Sequence, residues 1–498
     1  MEYAGLSHGR DMVFDRIFYP AAIAVVGVSS RGLGFGSGII VSLNAIGFAG
    51  EIYPVNPRGG EFQGLKIYRD VSDIPGKIDL AIIAVKAEFV PGVLEACRLK
   101  GAAGAQILSA GFCETGTAQG LSLEEEIAVI AKRGIRVIGP NCFGIYCPKS
   151  GLTMLPGADL SRRTGPVGFI SQSGGMSVDF AYMGKWAGVR FSRMISIGNG
   201  VDLRETELLE DFGRDTQTGI ISMYIEGVRD GRGFFRALKS VSAEKPVIVY
   251  KGGLSDAGAR AVHSHTASMA GSQAVWRGVL AQAGAVQVES LEEMAQASLA
   301  FSLLPHREYH CLCVAGGGGA LGVNACDLAA RYAFDIPAFD KETKARIEAL
   351  LPAAGSSASN PVDLANPYAT PEIIRDVLLL AAGDERIDIF LVIVQLYYYE
   401  VIAAQFGGVD VAEVSPHAAL CEVLAEVEPI ISRPVVVVIP EMKKGKDSMG
   451  LAAVQAEARD MFIDHGISVF DSPENAMRAI HHVSVYAQKR KHKDDANT

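Results

Sequence analysis

Residues 21–40 read AAIAVVGVSSRGLGFGSGII. The unbroken apolar run Ile23 to Val26 has the pattern of a strand buried on both faces, as in a parallel sheet. It enters a loop carrying Gly27, Gly32, Gly34, Gly36 and Gly38, and a helical pattern follows. A loop of this kind lets backbone N–H groups approach a phosphate at a helix N-terminus, although tight turns use glycine as well. The spacing is not G-x-G-x-x-G, because position 37 is Ser and position 39 is Ile. The second strand ends in Tyr53-Pro54-Val55-Asn56-Pro57-Arg58. A site for NAD would place an acidic residue there for the ribose hydroxyls, whereas Arg58 suits a phosphorylated ribose. Both departures disfavour a nicotinamide-dependent dehydrogenase.

Working outward, apolar runs at Ile78 to Val85 and Ala105 to Ser109 alternate with helical stretches, which gives a doubly wound parallel sheet. This first domain is expected to span 1–147 and to close with the stretch Arg136 to Gly144. A second α/β unit, 148–305, begins with the strand Val167 to Ile170 and the turn Ser171-Gln172-Ser173-Gly174-Gly175. Ser173 and Gly174 stand at a strand-to-helix turn, where backbone donors face outward and an anion site or a plain serine cap are both open readings. Later strands end in Tyr224-Ile225-Glu226-Gly227 and in Pro246 to Tyr250. Glu226 at a strand end could orient an imidazole by accepting from its second ring nitrogen. After Tyr250 comes GGLSDAGARAVHSHTASMAGS, residues 252–272, an overlong connection with His263 and His265 among small and hydroxylated neighbours. Neutral imidazole is a nucleophile near pH 7.

A third α/β unit, 306–498, starts with His310 to Ala315 and enters Gly316-Gly317-Gly318-Gly319. Consecutive glycines at a helix start cost stability, so they read as a further backbone anion cradle. The run Tyr397-Tyr398-Tyr399 follows a strand end and fits a pocket lining, an interface or a loop anchor.

With 498 residues and a net charge of −10, the chain can bury large cores and lacks the basic balance of a nucleic-acid binder. Eight scattered cysteines form no disulfide framework. Cys311 and Cys313, one residue apart, suit opposite faces of a strand better than a metal site, and no metal is expected on this chain. No apolar run reaches the ~18 residues of a membrane span, and the start has no signal-peptide pattern. A reduced, cytoplasmic protein is expected.

The segments IAVVGVSS, IYPVNP, LAIIAV, SAGF, GPNCFGI, VGFISQSGG, SIGNGVD, YIEG, SHTASMAGS, AGGGGALG and SNPVDL occur in that order. Together they resemble the α subunit of the ADP-forming acyl-CoA synthetases, relatives of the succinyl-CoA synthetases. The resemblance runs from about Arg16 to about Ala487. It implies a Rossmann-like CoA-binding domain followed by two flavodoxin-like CoA-ligase domains. It also implies that His265 carries a phosphoryl group, positioned by Glu226. Ser173 and Gly174, with Gly317, Gly318 and Gly319, match the turns that bind that group. Gly27, Ser29, Ser30, Arg31, Asn56, Pro57, Arg58, Val85, Lys86 and Asn141 would hold CoA. The implied activity interconverts acyl-CoA, phosphate and ADP with acid, CoA and ATP through an acyl phosphate. The nucleotide and Mg2+ would sit on an ATP-grasp β subunit, in a hetero-oligomer or with a homodimeric arrangement. Two small departures are Ala267, where the family has glycine, and Lys86, where it has proline. No ATP-grasp segment follows the third unit, so the chain is expected not to complete the nucleotide reaction alone. The alternative is a non-catalytic CoA-binding regulatory or scaffold protein of the same fold.

Overall fold

Strand β1 (Ala22–Val26) is buried along its whole length, and its neighbours repeat the pattern. A run apolar at every position can satisfy its side chains only if both sheet faces are covered, which helical crossovers between parallel strands achieve. The computed structural model describes residues 12–154, 157, 159–255, 257–258, 260 and 272–497. Helix α1 (Phe35–Ile46) follows β1 and stops at Gly47, whose φ of 78° is left-handed. The first sheet then adds β2 (Glu51–Val55), β5 (Leu80–Ile83), β6 (Gly104–Ile107) and β7 (Arg136–Ile138), while β3 (Gly60–Phe62) and β4 (Leu65–Ile67) form a separate hairpin. Its order is β2-β1-β5-β6-β7, with every pairing parallel.

The second sheet holds β8 (Gly144–Tyr146), β9 (Thr164–Ser171), β10 (Phe191–Ser196), β11 (Ile220–Ile225), β12 (Val247–Lys251) and β13 (Val286–Val288). Helices α2 (Gly174–Ala187), α3 (Gly231–Ser242) and α4 (Gln273–Ala283) link them. The order is β13-β12-β11-β9-β10-β8, parallel except for β8, which runs antiparallel to β10. The third sheet is β15-β14-β16-β17-β18, all parallel, built from β14 (Leu312–Gly316), β15 (Val362–Asp363), β16 (Ile389–Ile393), β17 (Val435–Val438) and β18 (Ser468–Phe470). Helix α5 (Gly319–Arg331) leaves the glycine run, and α6 (Tyr399–Gln405) and α7 (His417–Ile431) follow β16.

Two features differ from a reading in three separate bodies. The stretch Arg136 to Gly144 ends the first sheet with β7, but its last residue begins β8 at the edge of the second sheet, so the chain changes sheets between Ile138 and Gly144. One continuous core also contains Ile23, Val25 and Ile40 beside the first sheet together with Ile170, Ile195 and Ile221 of the second. The chain accordingly packs as two compact units, 1–185 with 189–294, and 186–188 with 295–498.

The strand orders matter for function because each sheet reverses its winding once. The reversals fall between β1 and β5, between β9 and β11, and between β14 and β16. At such a point neighbouring loops leave the strand C-termini in opposite directions and open a crevice, the usual ligand position in open α/β sheets.

Candidate functional site

In the first sheet the loops after β1 and β5 flank the crevice. Gly27 has φ +102°, and a Cβ there would lie 2.2 Å from the Ala84 carbonyl oxygen, so only glycine lets the two loops approach. Gly36 plays the matching part in α1, where a Cβ would meet the Gly27 carbonyl oxygen at 2.7 Å. Ser37 Oγ pins the loop by accepting from Ser29 N at 3.0 Å and donating to Ser29 O at 3.1 Å. Ser29 Oγ accepts from Arg31 N, and Ser30 and Arg31 are exposed at the tip. After β2, Asn56 Oδ1 accepts from Arg58 N and shapes the Asn56-Pro57-Arg58 turn, with Pro57 and Arg58 exposed. After β5 come Val85, half-buried, and Lys86, exposed; the Val85 carbonyl accepts from Ser109 Oγ of the next loop. Asn141, with φ +57°, follows β7 and donates its N–H to Ser109 O. All ten residues expected at a CoA site therefore lie on loops at one end of one sheet.

The second crevice is bridged by a residue that the sequence reading passed over. Gln172, just past β9, uses its amide oxygen to accept from Glu226 N at 2.6 Å and Gly227 N at 3.0 Å, and its Nε2 donates to Gly227 O at 2.6 Å. Its amide thus locks the turn that presents Glu226, and it reaches Glu205 Oε2 at 3.3 Å as well. Beside it Ser173 caps α2, accepting from Met176 N at 3.4 Å. The first-turn N–H groups at Gly174 and Gly175 have no intrahelical acceptor, as at any helix start. The space a Gly174 Cβ would take is filled by the Phe143 ring at 3.2 Å, while nothing lies within 4 Å of the Gly175 position.

Glu226 is 8% exposed. Its Oε1 accepts from Tyr224 OH at 3.3 Å, and its Oε2 is buried with no hydrogen-bond partner among the described residues. A buried carboxylate oxygen left in this state costs free energy until a donor arrives. Lys251 ends β12, with Nζ donating to Glu226 O at 2.8 Å and to Gly252 O. Burial lowers its pKa to about 8, opposed by the Glu226 carboxylate. His265 lies outside the described residues, as does most of the connection between β12 and α4.

A second polar group missed from sequence joins the segment after β6 of the first sheet to the loop after β10 of the second. Asn199 Nδ2 donates to Glu114 Oε2 at 2.6 Å and Glu124 Oε2 at 2.9 Å, and touches Cys113 Sγ at 3.4 Å. These three side chains bring potential metal-ligand atoms within 4.8 Å of one another, but the amide donates into the space between them. Burial pushes the Cys113 thiol up to about 12, with Glu124 adding to the effect. Burial opposes ionisation of Glu114, yet hydrogen bonds from Asn199, Gly111 and Phe112 hold its carboxyl below the usual range.

The third crevice lies in the other unit. A cavity of about 210 Å³ is lined by Gly316 to Gly319, Ser357, Ser359 and Asp363. Close packing accounts for several of its glycines. A Cβ would come within 2.6 Å of Ile393 O at Gly316, 2.7 Å of Gln395 Oε1 at Gly317 and 2.8 Å of Asp363 Oδ2 at Gly319. Gly318 N donates to Asp363 Oδ1 at 3.2 Å, so a carboxylate of the chain itself already faces this helix start. Gln395 Nε2 donates to Tyr397 OH at 2.7 Å, and Tyr397, Tyr398, Tyr399 and Tyr368 form one set of ring contacts beside it. The tyrosine run thus anchors the loop that faces the glycines.

Comparison with known proteins bears on all three sheets. Residues 21–148 match a family described as CoA binding domain, and residues 164–301 match one described as succinyl-CoA ligase like flavodoxin domain. The α subunit of acetate–CoA ligase (ADP-forming) I from Pyrococcus furiosus is 34% identical over 97% of this chain and 100% of its own length. Acetate–CoA ligase (ADP-forming) I from Archaeoglobus fulgidus is 37% identical over 76% of this chain but only 54% of itself. The chain thus spans about half the length of such longer relatives. Among solved structures, the acetyl-coenzyme A synthetase 1 of Ca. Korarchaeum cryptofilum, in complex with phosphate and ADP, superposes with a TM-score of 0.80 at 30% identity. That match covers 97% of this chain and 99% of the other.

Proposed function

The chain belongs to the family of ADP-forming acyl-CoA synthetase α subunits, and from that premise we propose that it is the phosphohistidine-bearing subunit of an acid–CoA ligase. Acyl-CoA binds with its CoA moiety on the loops after β1, β2 and β5. Inorganic phosphate attacks the thioester carbonyl, the C–S bond breaks, and CoA leaves as the thiolate that then takes a proton. His265 next attacks the acyl phosphate at phosphorus. A P–N bond forms, the P–O bond to the acyl group breaks, and the carboxylate departs. The phosphoryl group then passes to ADP on an ATP-grasp partner subunit, where Mg2+ would reside, and histidine is regenerated. The reverse sequence activates an acid.

The observation that carries this reading is Glu226 Oε2, buried with no hydrogen-bond partner among the described residues. The Glu226 backbone is held by Gln172, which accepts from its N–H, and by Lys251, which donates to its carbonyl, at the root of the connection bearing His265. An imidazole that attacks phosphorus through one nitrogen carries a proton on the other, and a fixed carboxylate is the acceptor for it. The N–H groups at Gly174 and Gly175 supply positive potential for phosphoryl oxygens without competing as nucleophiles. Arg31, Arg58 and Lys86, exposed around the first crevice, match the phosphates of CoA. No described helix is long and apolar enough to cross a membrane.

Incubating the chain with acyl-CoA and labelled phosphate should give acid-labile, alkali-stable label on His265. Labelling of His265→Asn at the wild-type level would remove the histidine from the relay.

A further inference from the structure

The third sheet has a second cavity, at the end opposite its glycine run. It measures about 460 Å³ and opens to solvent between the C-terminus of α7, the chain just before β17 and β18, and the residues that lead into β14. Nothing in the phosphoryl relay uses it. Its lining carries Glu428, His465, Arg307 and Arg433, and its apolar wall is three prolines and Ala425.

One side collects acceptors. Pro429 lies inside α7 and has no N–H, so the Ala425 carbonyl one turn earlier lacks the hydrogen bond that residue 429 would otherwise donate. Ala425 lines the cavity, and the last carbonyls of α7 add the negative end of the helix dipole. Glu428, half-buried, stands in the same turn. Burial raises its pKa to about 7, offset only by a backbone hydrogen bond from Val435, so no cation among the described residues neutralises it. His465 Nδ1 lies 2.8 Å from Met461 O. A carbonyl only accepts, so Nδ1 carries the proton, and Nε2 of the neutral ring is a further acceptor.

The other side keeps its cations. Arg307 Nη2 donates to Asp388 O at 2.9 Å, with its guanidinium 5.2 Å from the Tyr309 ring centroid. Arg433 Nη1 donates to Ala382 O and Asp384 O, each at 3.0 Å. The Asp384 carboxylate, which also senses Arg433, is taken by Arg386 at 2.6 Å. Main-chain carbonyls orient a guanidinium without cancelling its charge, and each fork retains N–H groups for a carboxylate.

A simple cation entering this cavity would meet the arginines, and a simple anion would meet Glu428 and the end of α7. A molecule that carries both charges satisfies both sides, and the prolines suit an apolar side chain. We propose that this cavity binds an apolar α-amino acid, with its ammonium on Glu428 and the Ala425 carbonyl and its carboxylate on Arg307 and Arg433. The proposal is independent of the phosphohistidine reading.

Calorimetry on the full chain with L-leucine tests it, beside two compounds that each lack one of the charges, isopentylamine and N-acetyl-L-leucine. Leucine should bind with millimolar or tighter affinity, and each analogue at least tenfold more weakly. Glu428→Gln keeps the shape of the side chain and removes its charge, and should weaken leucine at least tenfold. Arg307→Gln should weaken leucine by a similar factor, to the level of isopentylamine on the wild type. Leucine that gives neither heat nor NMR saturation transfer up to about 10 mM overturns the proposal. Leucine binding that Glu428→Gln leaves within twofold does the same, as does isopentylamine binding as tightly as leucine. If Arg307→Gln does not fold, the comparison of leucine with isopentylamine on the wild type decides the carboxylate side.

Discussion

Replacing Glu226 by glutamine changes the chemistry of the second crevice while leaving its scaffold in place. The contacts that hold residue 226 are made to its backbone, by Gln172 Oε1 to its N–H and by Lys251 Nζ to its carbonyl, and both survive the substitution. The Tyr224 hydroxyl can still donate to the amide oxygen in the place of Oε1. What changes is the buried position of Oε2, which becomes an NH2 group that points a donor at the imidazole N–H it should receive. A hydrogen bond to a charged group contributes about 1.5–3 kcal/mol, and each ~1.4 kcal/mol is a factor of ten. The rate of His265 labelling from acyl-CoA and phosphate should therefore fall about 10- to 150-fold. Rapid-quench labelling of wild type and Glu226→Gln, with CoA affinity measured alongside, reads this directly. The loops proposed to hold CoA are on the first sheet, so CoA binding should stay within twofold. A variant that labels within twofold of wild type would refute the role given to Glu226.

Gly27→Ala combines a left-handed φ of +102° with a Cβ 2.2 Å from Ala84 O; it should cost about 2–4 kcal/mol, lowering the unfolding midpoint and abolishing CoA binding in calorimetry. Arg58→Ala should weaken CoA about 5- to 10-fold, the loss of one charge-assisted contact, yet leave 3′-dephospho-CoA unchanged; equal losses for the two ligands would move Arg58 away from the ribose phosphate. Glu428, in α7, is raised from near 4.5 to about 7 by burial, only partly offset by a backbone hydrogen bond from Val435. The folded state then holds the proton more tightly than the unfolded chain, so this stabilisation is complete below about pH 4.5 and is lost as pH rises through about 7. Glu428→Gln should consequently gain about 1–2 kcal/mol on wild type between pH 5 and pH 8, allowing for partial exposure, and a thermal midpoint difference that does not grow over that interval would contradict the assignment.

The three sheets were legible because parallel strands buried on both faces leave unbroken apolar runs, as in Ala22–Val26, Ile389–Ile393 and Val435–Val438. Each switch-point loop also follows such a run directly, which is why Gly27, Ser173, Glu226 and Gly317 could be picked out. What could not be read were contacts between distant segments. Gln172 looks like one polar residue of a turn until its amide is seen latched onto residues 226 and 227. Glu114 and Glu124 lie 75 or more residues from Asn199 in sequence, and the three meet only once the chain has folded. The glycine run after β14 was legible as a backbone device, but the proximity of Asp363 and Gln395 that requires small residues there was not. Gly144–Tyr146 has too few residues to show which sheet it joins, and its antiparallel pairing with β10 settles that.

The central claim is that His265 receives a phosphoryl group beside Glu226. Mass-spectrometric mapping of the chain after incubation with acyl-CoA and phosphate, under alkaline conditions that preserve phosphohistidine, tests it most directly. The phosphoryl mass should fall on the peptide containing His265 in wild type and be absent from His265→Asn. Phosphate that maps to another residue, or persists in His265→Asn, would contradict the account.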